Sequence, residues 1–77
     1  MEVLFFAGLK SYFPESLEVP VEIEFISDLK SYLKSVVPEA SALLDASRFA
    51  QGSELLVLES KISKDVPIAV LPPSSGG

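Results

Sequence analysis

Apolar residues follow several distinct rhythms along this chain, and each rhythm predicts an element. Glu2–Gly8 is apolar at both parities, with Val3, Phe5 and Ala7 on one face and Leu4 and Phe6 on the other. That pattern predicts a central strand buried on both sides and ended by Gly8. Leu9–Ser16 holds Pro14 and polar residues and forms a connection. Leu17–Ile26 then alternates, with Val19, Val21, Ile23 and Phe25 on one face and Pro20, Glu22 and Glu24 on the other. A period of two predicts a half-exposed strand. Pro20 has no backbone N–H and so belongs at a sheet edge or a strand start. The two runs are expected to pair as a hairpin with a long loop.

The rhythm next changes to that of a helix. Leu29, Tyr32, Leu33, Val36 and Val37 recur at the spacing of one helical face. Ser27 is the expected N-cap, with Asp28 in the first turn and Lys30 and Lys34 on the wet face. Pro38 ends this helix or begins a shorter turn through Glu39–Asp45, where Leu43 and Leu44 can pack. The last third is β-like: a short strand at Arg48–Gln51, a turn at Gly52-Ser53 and an apolar run at Leu55–Leu58. A second turn follows at Ser63–Asp65, and a final strand, Ile68–Leu71, enters at Pro67. The order is ββαβββ, an α+β fold with a mixed sheet and one main helix.

A single helix hides one face of such a sheet. Yet Leu4/Phe6 oppose Val3/Phe5, Leu55/Val57 oppose Leu56/Leu58, and Ile68/Val70 oppose Ala69/Leu71. Either loops cover the second face, with Glu39–Ala46 as part of that cover, or the face docks a partner. The pattern favours docking.

Composition narrows the function more than the fold. The 77 residues suit one domain near the lower size at which a single core sustains a fold. No apolar run approaches the ~20 residues that span a bilayer. MEVLFFAG has an acid at position 2 and no basic n-region, so a signal peptide is not expected and a cytoplasmic protein is. The chain has neither cysteine nor histidine, which removes thiolate metal sites, the commonest general base and the strongest nucleophile. An autonomous enzyme is not expected, nor a metal site. Eleven acids against six bases give a net charge of −5. The lone arginine, Arg48, and scattered lysines form no stripe for phosphates, so nucleic acid is not an expected partner. The acidic balance serves solubility or steers basic protein partners.

The chemical feature is the ending LPPSSGG. Residues 1–71 are read as the domain and 72–77 as a flexible arm. Pro72-Pro73 lacks backbone donors and favours polyproline II, so the ladder stops and the chain projects. Ser74 and Ser75 are small and polar. Gly76 and Gly77 have no side chains, so they can enter a narrow channel and adopt backbone angles closed to other residues. A carboxylate on such an arm is a poor electrophile until a partner adenylates it, after which a sulfur donor or an amine can attack. A terminal glycine pair arises by chance in roughly 0.5% of chains at average glycine usage. A frayed tail or a cloning scar mimics it, but neither explains the strand-Pro-Pro run before it.

The opening VLFFA at Val3–Ala7, the helix after the second strand and the ending IAVLPPSSGG at Ile68–Gly77 resemble the small subunit of molybdopterin synthase, the MoaD family. The resemblance spans the whole chain. It implies a ubiquitin-like β-grasp fold with the first and last strands parallel at the sheet centre. It also implies that Gly77 is the reacting residue, adenylated and then thiocarboxylated. The adenylating partner is a ubiquitin-activating-type adenylyltransferase that uses ATP and magnesium. Leu71, Pro72, Pro73, Ser74, Ser75 and Gly76 would form the arm that inserts into the large synthase subunit. There sulfur passes to cyclic pyranopterin monophosphate in molybdenum cofactor synthesis, within a heterotetramer. Two features depart from the family. Ser63-Lys64-Asp65-Val66-Pro67 has no glycine where members often carry an Asp-Gly-Asp-like turn, and Arg48–Gln51 lacks the asparagine many show at its end.

The remaining candidates read as structural. Tyr12 and Phe13 anchor the first loop to the core. Glu22 and Glu24 are a solvated face. Phe5 and Phe6 are core, with one available to the docking face, and Lys61 and Lys64 aid solubility. Other functions consistent with an activated terminal glycine are sulfur carriage for thiamin thiazole or transfer-RNA thiolation, and conjugation to lysines as a protein modifier. A noncatalytic interaction module with an inert tail is the alternative of another class.

Overall fold

The computed structural model describes residues 1–73. Five strands form one sheet in the order β2-β1-β5-β3-β4. They are β1 (Glu2–Phe5), β2 (Ser16–Glu18), β3 (Arg48–Gln51), β4 (Glu54–Leu56) and β5 (Ile68–Leu71). β1 pairs antiparallel with β2 and parallel with β5, while β3 is antiparallel to both β5 and β4. The first and last strands therefore lie side by side and parallel in the middle of a mixed sheet, as the resemblance implies. Helix α1 (Ile26–Val36) packs on one face, and a 3-10 turn at Pro38–Ala40 leads into the short helix α2 (Ser41–Ala46).

Strand alternation sorts the side chains. Val3 and Phe5 of β1 and Ile68 and Val70 of β5 are fully buried and meet Ile26, Leu29 and Leu33 of α1 in one core. Each such side chain contributes about 1.5–3 kcal/mol by leaving water. Phe13 folds in from the first loop and its ring stacks on Phe5 at 4.3 Å between centroids. Leu9, in a 3-10 turn over Ala7–Ser11, is also fully buried. The first loop is thus anchored by Phe13 and Leu9, while Tyr12 is exposed.

Three expected elements differ. The second strand is Ser16–Glu18, not Leu17–Ile26. β1 offers only Glu2–Leu4 as partners, the Val19 N–H bonds the Met1 carbonyl at 2.9 Å, and Pro20 cannot donate further. A turn closes instead, with the Ile23 N–H on the Pro20 carbonyl. Ser27 is not the N-cap: Phe25 holds that position, and Ile26 is already helical and fully buried. The N–H groups of Ile26 and Ser27 bond the carbonyls of Ser60 and Leu58, so loop backbone satisfies two of the helix's orphan donors. Gly8 does not end β1 either; the strand stops at Phe5, and Ala7 takes the left-handed turn at φ 51°.

Lys30 and Lys34 are not simply on the wet face. Both reach Asp45 of α2, at 3.4 Å and 2.6 Å, and join the two helices. Leu44 is fully buried and Leu43 half-buried, so α2 packs on the helix side of the sheet. It does not cover the second face. Among the described residues no helix is long and apolar enough to cross a membrane.

Candidate functional site

The expected site begins where β5 ends. Val70 pairs with Phe5 on one side and Phe49 on the other. Leu71 is half-buried and sits opposite Arg48. Pro72 is half-buried and Pro73 exposed. With no N–H on either proline, the central ladder stops and the chain leaves the sheet from its middle. Ser74, Ser75, Gly76 and Gly77 lie outside the described residues, so of the expected site residues the structure places Leu71, Pro72 and Pro73.

Rigid elements hold this exit on both sides. β5 lies between β1 and β3, so displacing it breaks two ladders at once. A buried polar staple fastens the excursion leading into β5. The Gln51 side-chain amide donates to the carbonyls of Ser63 (2.7 Å) and Val66 (2.8 Å), while its oxygen accepts from the Ser63 N–H (2.9 Å). One side chain at the end of β3 thus makes three hydrogen bonds to this stretch, which adds its own bond from the Val66 N–H to the Ser63 carbonyl at 3.4 Å. The glycine-free stretch Ser63–Pro67 is held in this way.

The second face of the sheet is apolar beside the exit. Register places Leu4, Ala69, Ala50 and Leu55 in one row across four strands. Leu4, Ala69 and Leu71 are half-buried, and Phe6 is 41% exposed. Phe6 therefore takes the surface role expected for one of the Phe5/Phe6 pair, and Phe5 takes the core role.

Two concavities flank the exit. One, about 250 Å³, lies beside β1 and is lined by Leu4, Phe6, Lys10 and Glu15 among others; Lys10 and Glu15 are 3.7 Å apart. The other, about 450 Å³, lies between the start of α1 and the β3–β4 edge, with Lys30, Arg48, Leu55, Val57 and Leu58 in its wall. Sequence patterning missed this second groove, because it is made by residues distant in the chain. The consecutive apolar residues Leu55–Leu58 were its available signal.

One charge near the groove is shifted. A hydrogen bond from Lys34 holds the Asp45 carboxyl below its ordinary value. Partial desolvation opposes this, and the Lys34 charge and Lys30 reinforce it.

No protein-family model matches the chain, and no curated protein does. Among solved structures, SAMP1 from Haloferax volcanii superposes with a TM-score of 0.78 at 22% sequence identity, covering 99% of this chain and 97% of that one. A likeness over both full lengths, with the same mixed five-stranded sheet and single main helix, shows that this chain has the ubiquitin-like β-grasp fold.

Proposed function

We propose that the chain is a ubiquitin-like sulfur carrier whose Gly77 carboxylate is activated by a partner and then carries sulfur as a thiocarboxylate. The supporting observation is that β5 delivers Leu71-Pro72-Pro73 from the sheet centre towards the Gly76-Gly77 pair. With no histidine or cysteine of its own, the chain leaves the chemistry to partners. A ubiquitin-activating-type adenylyltransferase transfers AMP from ATP, with magnesium, to the carboxylate and releases pyrophosphate. Sulfide equivalent then displaces AMP and leaves the thiocarboxylate.

In the finer reading, the chain is the small subunit of molybdopterin synthase in the cytoplasm. Its arm, Leu71 to Gly77, enters the large subunit and gives sulfur to cyclic pyranopterin monophosphate. The VLFFA opening and the IAVLPPSSGG ending support this over carriers for thiamin or transfer-RNA thiolation. The apolar row Leu4–Ala69–Ala50–Leu55 is the docking face for these partners. The likeness to SAMP1 favours a second reading, attachment of Gly77 to lysines as a protein modifier.

Intact mass spectrometry separates these readings. The full chain is incubated with a cognate activating enzyme, ATP and a sulfide source. The expected product is heavier by the exchange of one oxygen for sulfur, and it then yields dithiolene product with the large synthase subunit. Adducts to lysines without the sulfur exchange would favour the modifier. An unchanged mass with several active activating enzymes would reject both readings in favour of an inert tail.

A further inference from the structure

The arm begins where β5 stops, so its reach depends on the register of β5 between β1 and β3. Side-chain pattern alone defines that register poorly. Val66, Ile68 and Val70 share one parity, and Ala69 and Leu71 the other. A slide of two residues would put Val66 and Ile68 where Ile68 and Val70 lie fully buried. The helix side would still receive one valine and one isoleucine. A two-residue slide keeps every side chain on its own face, so alternation gives no protection against it. The turn Ser63–Val66, closed by the Val66 N–H on the Ser63 carbonyl at 3.4 Å, holds the slack that such a slide needs.

Two features oppose the slide. The first is Pro67. β3 and β4 join through a two-residue turn, so Phe49 and Gln51 exchange hydrogen bonds with β4, and Arg48 and Ala50 face β5. Ala69 therefore donates its N–H to Ala50. After the slide, Pro67 would stand in that place with no N–H to give. The second is Gln51. Its three hydrogen bonds go to Ser63 and Val66, the two ends of the turn, and so keep the slack out of the sheet. The opposite slide is blocked without either residue, because it would bring Pro72 and Pro73 into the ladder.

We propose that Gln51 and Pro67 are positioning residues for the arm, which together fix the register of β5 and thereby the reach of Gly77. This rests on Gly77 being the residue that a partner activates. After the slide, β5 would release Val70 and Leu71, and the arm would start at Val70 instead of Pro72. Two further residues lengthen it by about 7 Å. Misplacement of reacting groups by about 1 Å can cost roughly a hundredfold in rate. A fixed register therefore matters more to activation than to the burial of apolar surface, which the slide leaves nearly unchanged on the helix side.

Register and reach are measured separately, on the full chain, as Gln51→Ala, Pro67→Ala and the double variant. Phe49 and Val70 face each other without exchanging hydrogen bonds, the closer kind of antiparallel pair, so their Hα protons give a strong nuclear Overhauser effect. The parent and each single variant, which retains one lock, should show that contact. The double variant should add one between Phe49 and Ile68. Intact mass after incubation with an activating enzyme, ATP and a sulfide source then reads reach. Removing Ser74 and Ser75 should slow thiocarboxylate formation in the parent by about tenfold or more. The shortened double variant should outpace the shortened parent, a rescue that a merely stabilising role for Gln51 and Pro67 would not produce. A folded double variant without the Phe49–Ile68 contact would overturn the proposal, as would a slid register with no such rescue. Gln51→Thr/Pro67→Val places β-branched residues at both positions as a second test. If neither double variant folds, there is no second register to exclude and the proposal fails. A parent that is never activated, with the proton contacts as expected, would sink the carrier reading while upholding the two locks.

Discussion

Gln51 shows how much one side chain can settle. Among the described residues it is the one buried polar side chain, and its amide makes three hydrogen bonds to the backbone of residues 63–66. Removing it loses all three bonds and leaves the stretch Ser63–Val66 held only by the Val66 N–H on the Ser63 carbonyl at 3.4 Å. Gln51→Ala should therefore cost roughly 1–3 kcal/mol. In a domain of this size, that lowers the melting temperature by about 4–8 °C per kcal/mol. Gln51→Glu should cost at least as much near neutral pH, because a carboxylate cannot donate to the Ser63 and Val66 carbonyls. Thermal unfolding followed by circular dichroism measures both; a glutamate variant as stable as the parent would contradict the assigned donor roles. The sequence shows a glutamine at the end of a strand, but not what it holds. Its partners are 12 to 15 residues away and are backbone atoms, so no side-chain pattern announces them.

At the scale of elements, local rhythm was legible where neighbours agree with it. β3 and β5 match their predicted spans, because strands on both sides hold them, whereas β1 begins where expected and stops at Phe5, three residues before Gly8. The second strand misled because apolar alternation at Val19–Phe25 does not report whether a partner strand exists. Val19 is buried, Ile23 half-buried, and Val21 and Phe25 exposed. Helix α1 was legible as a stripe but not in its start, since loop carbonyls from Leu58 and Ser60 do the work expected of Ser27. The link between α1 and α2 was not legible at all. Lys34 and Lys30 hold Asp45 as a carboxylate, so its folded pKa lies below the ordinary 3.8. A depressed carboxylate stabilises the fold above its unfolded pKa, and that stability is lost as pH falls through the folded value. The melting temperature of Asp45→Asn should therefore lie below the parent's near pH 6, by a small amount because the pair is exposed. The gap should close as the pH drops below 3.8, and added salt should narrow it. A gap that widened towards low pH would reverse the assigned sign.

At the scale of the whole molecule, stability and the proposed chemistry occupy different parts of the chain. Among the described residues, every member of the buried core lies between Val3 and Val70. β5 completes two ladders before Pro72 is reached. Deleting Gly77, or replacing it with alanine, changes no residue of that core and should leave the melting temperature within about 2–4 °C of the parent's, since changes away from packed features lie within ~0.5 kcal/mol. The same variants should lose thiocarboxylate formation and sulfur transfer. Under the proposed function, the alanine would carry a Cβ next to the reacting carbon, and the truncated chain would end one residue short of the partner's catalytic groups. Truncating instead into β5 at Val70 removes a fully buried side chain, one of three pairings with β1 and two of four with β3, and should unfold the protein. Paired measurement of melting and of intact mass after activation separates the two effects. Loss of folding on deletion of Gly77 alone would mean that the end of the chain is part of the body, and no activating enzyme could then reach it without unfolding its substrate.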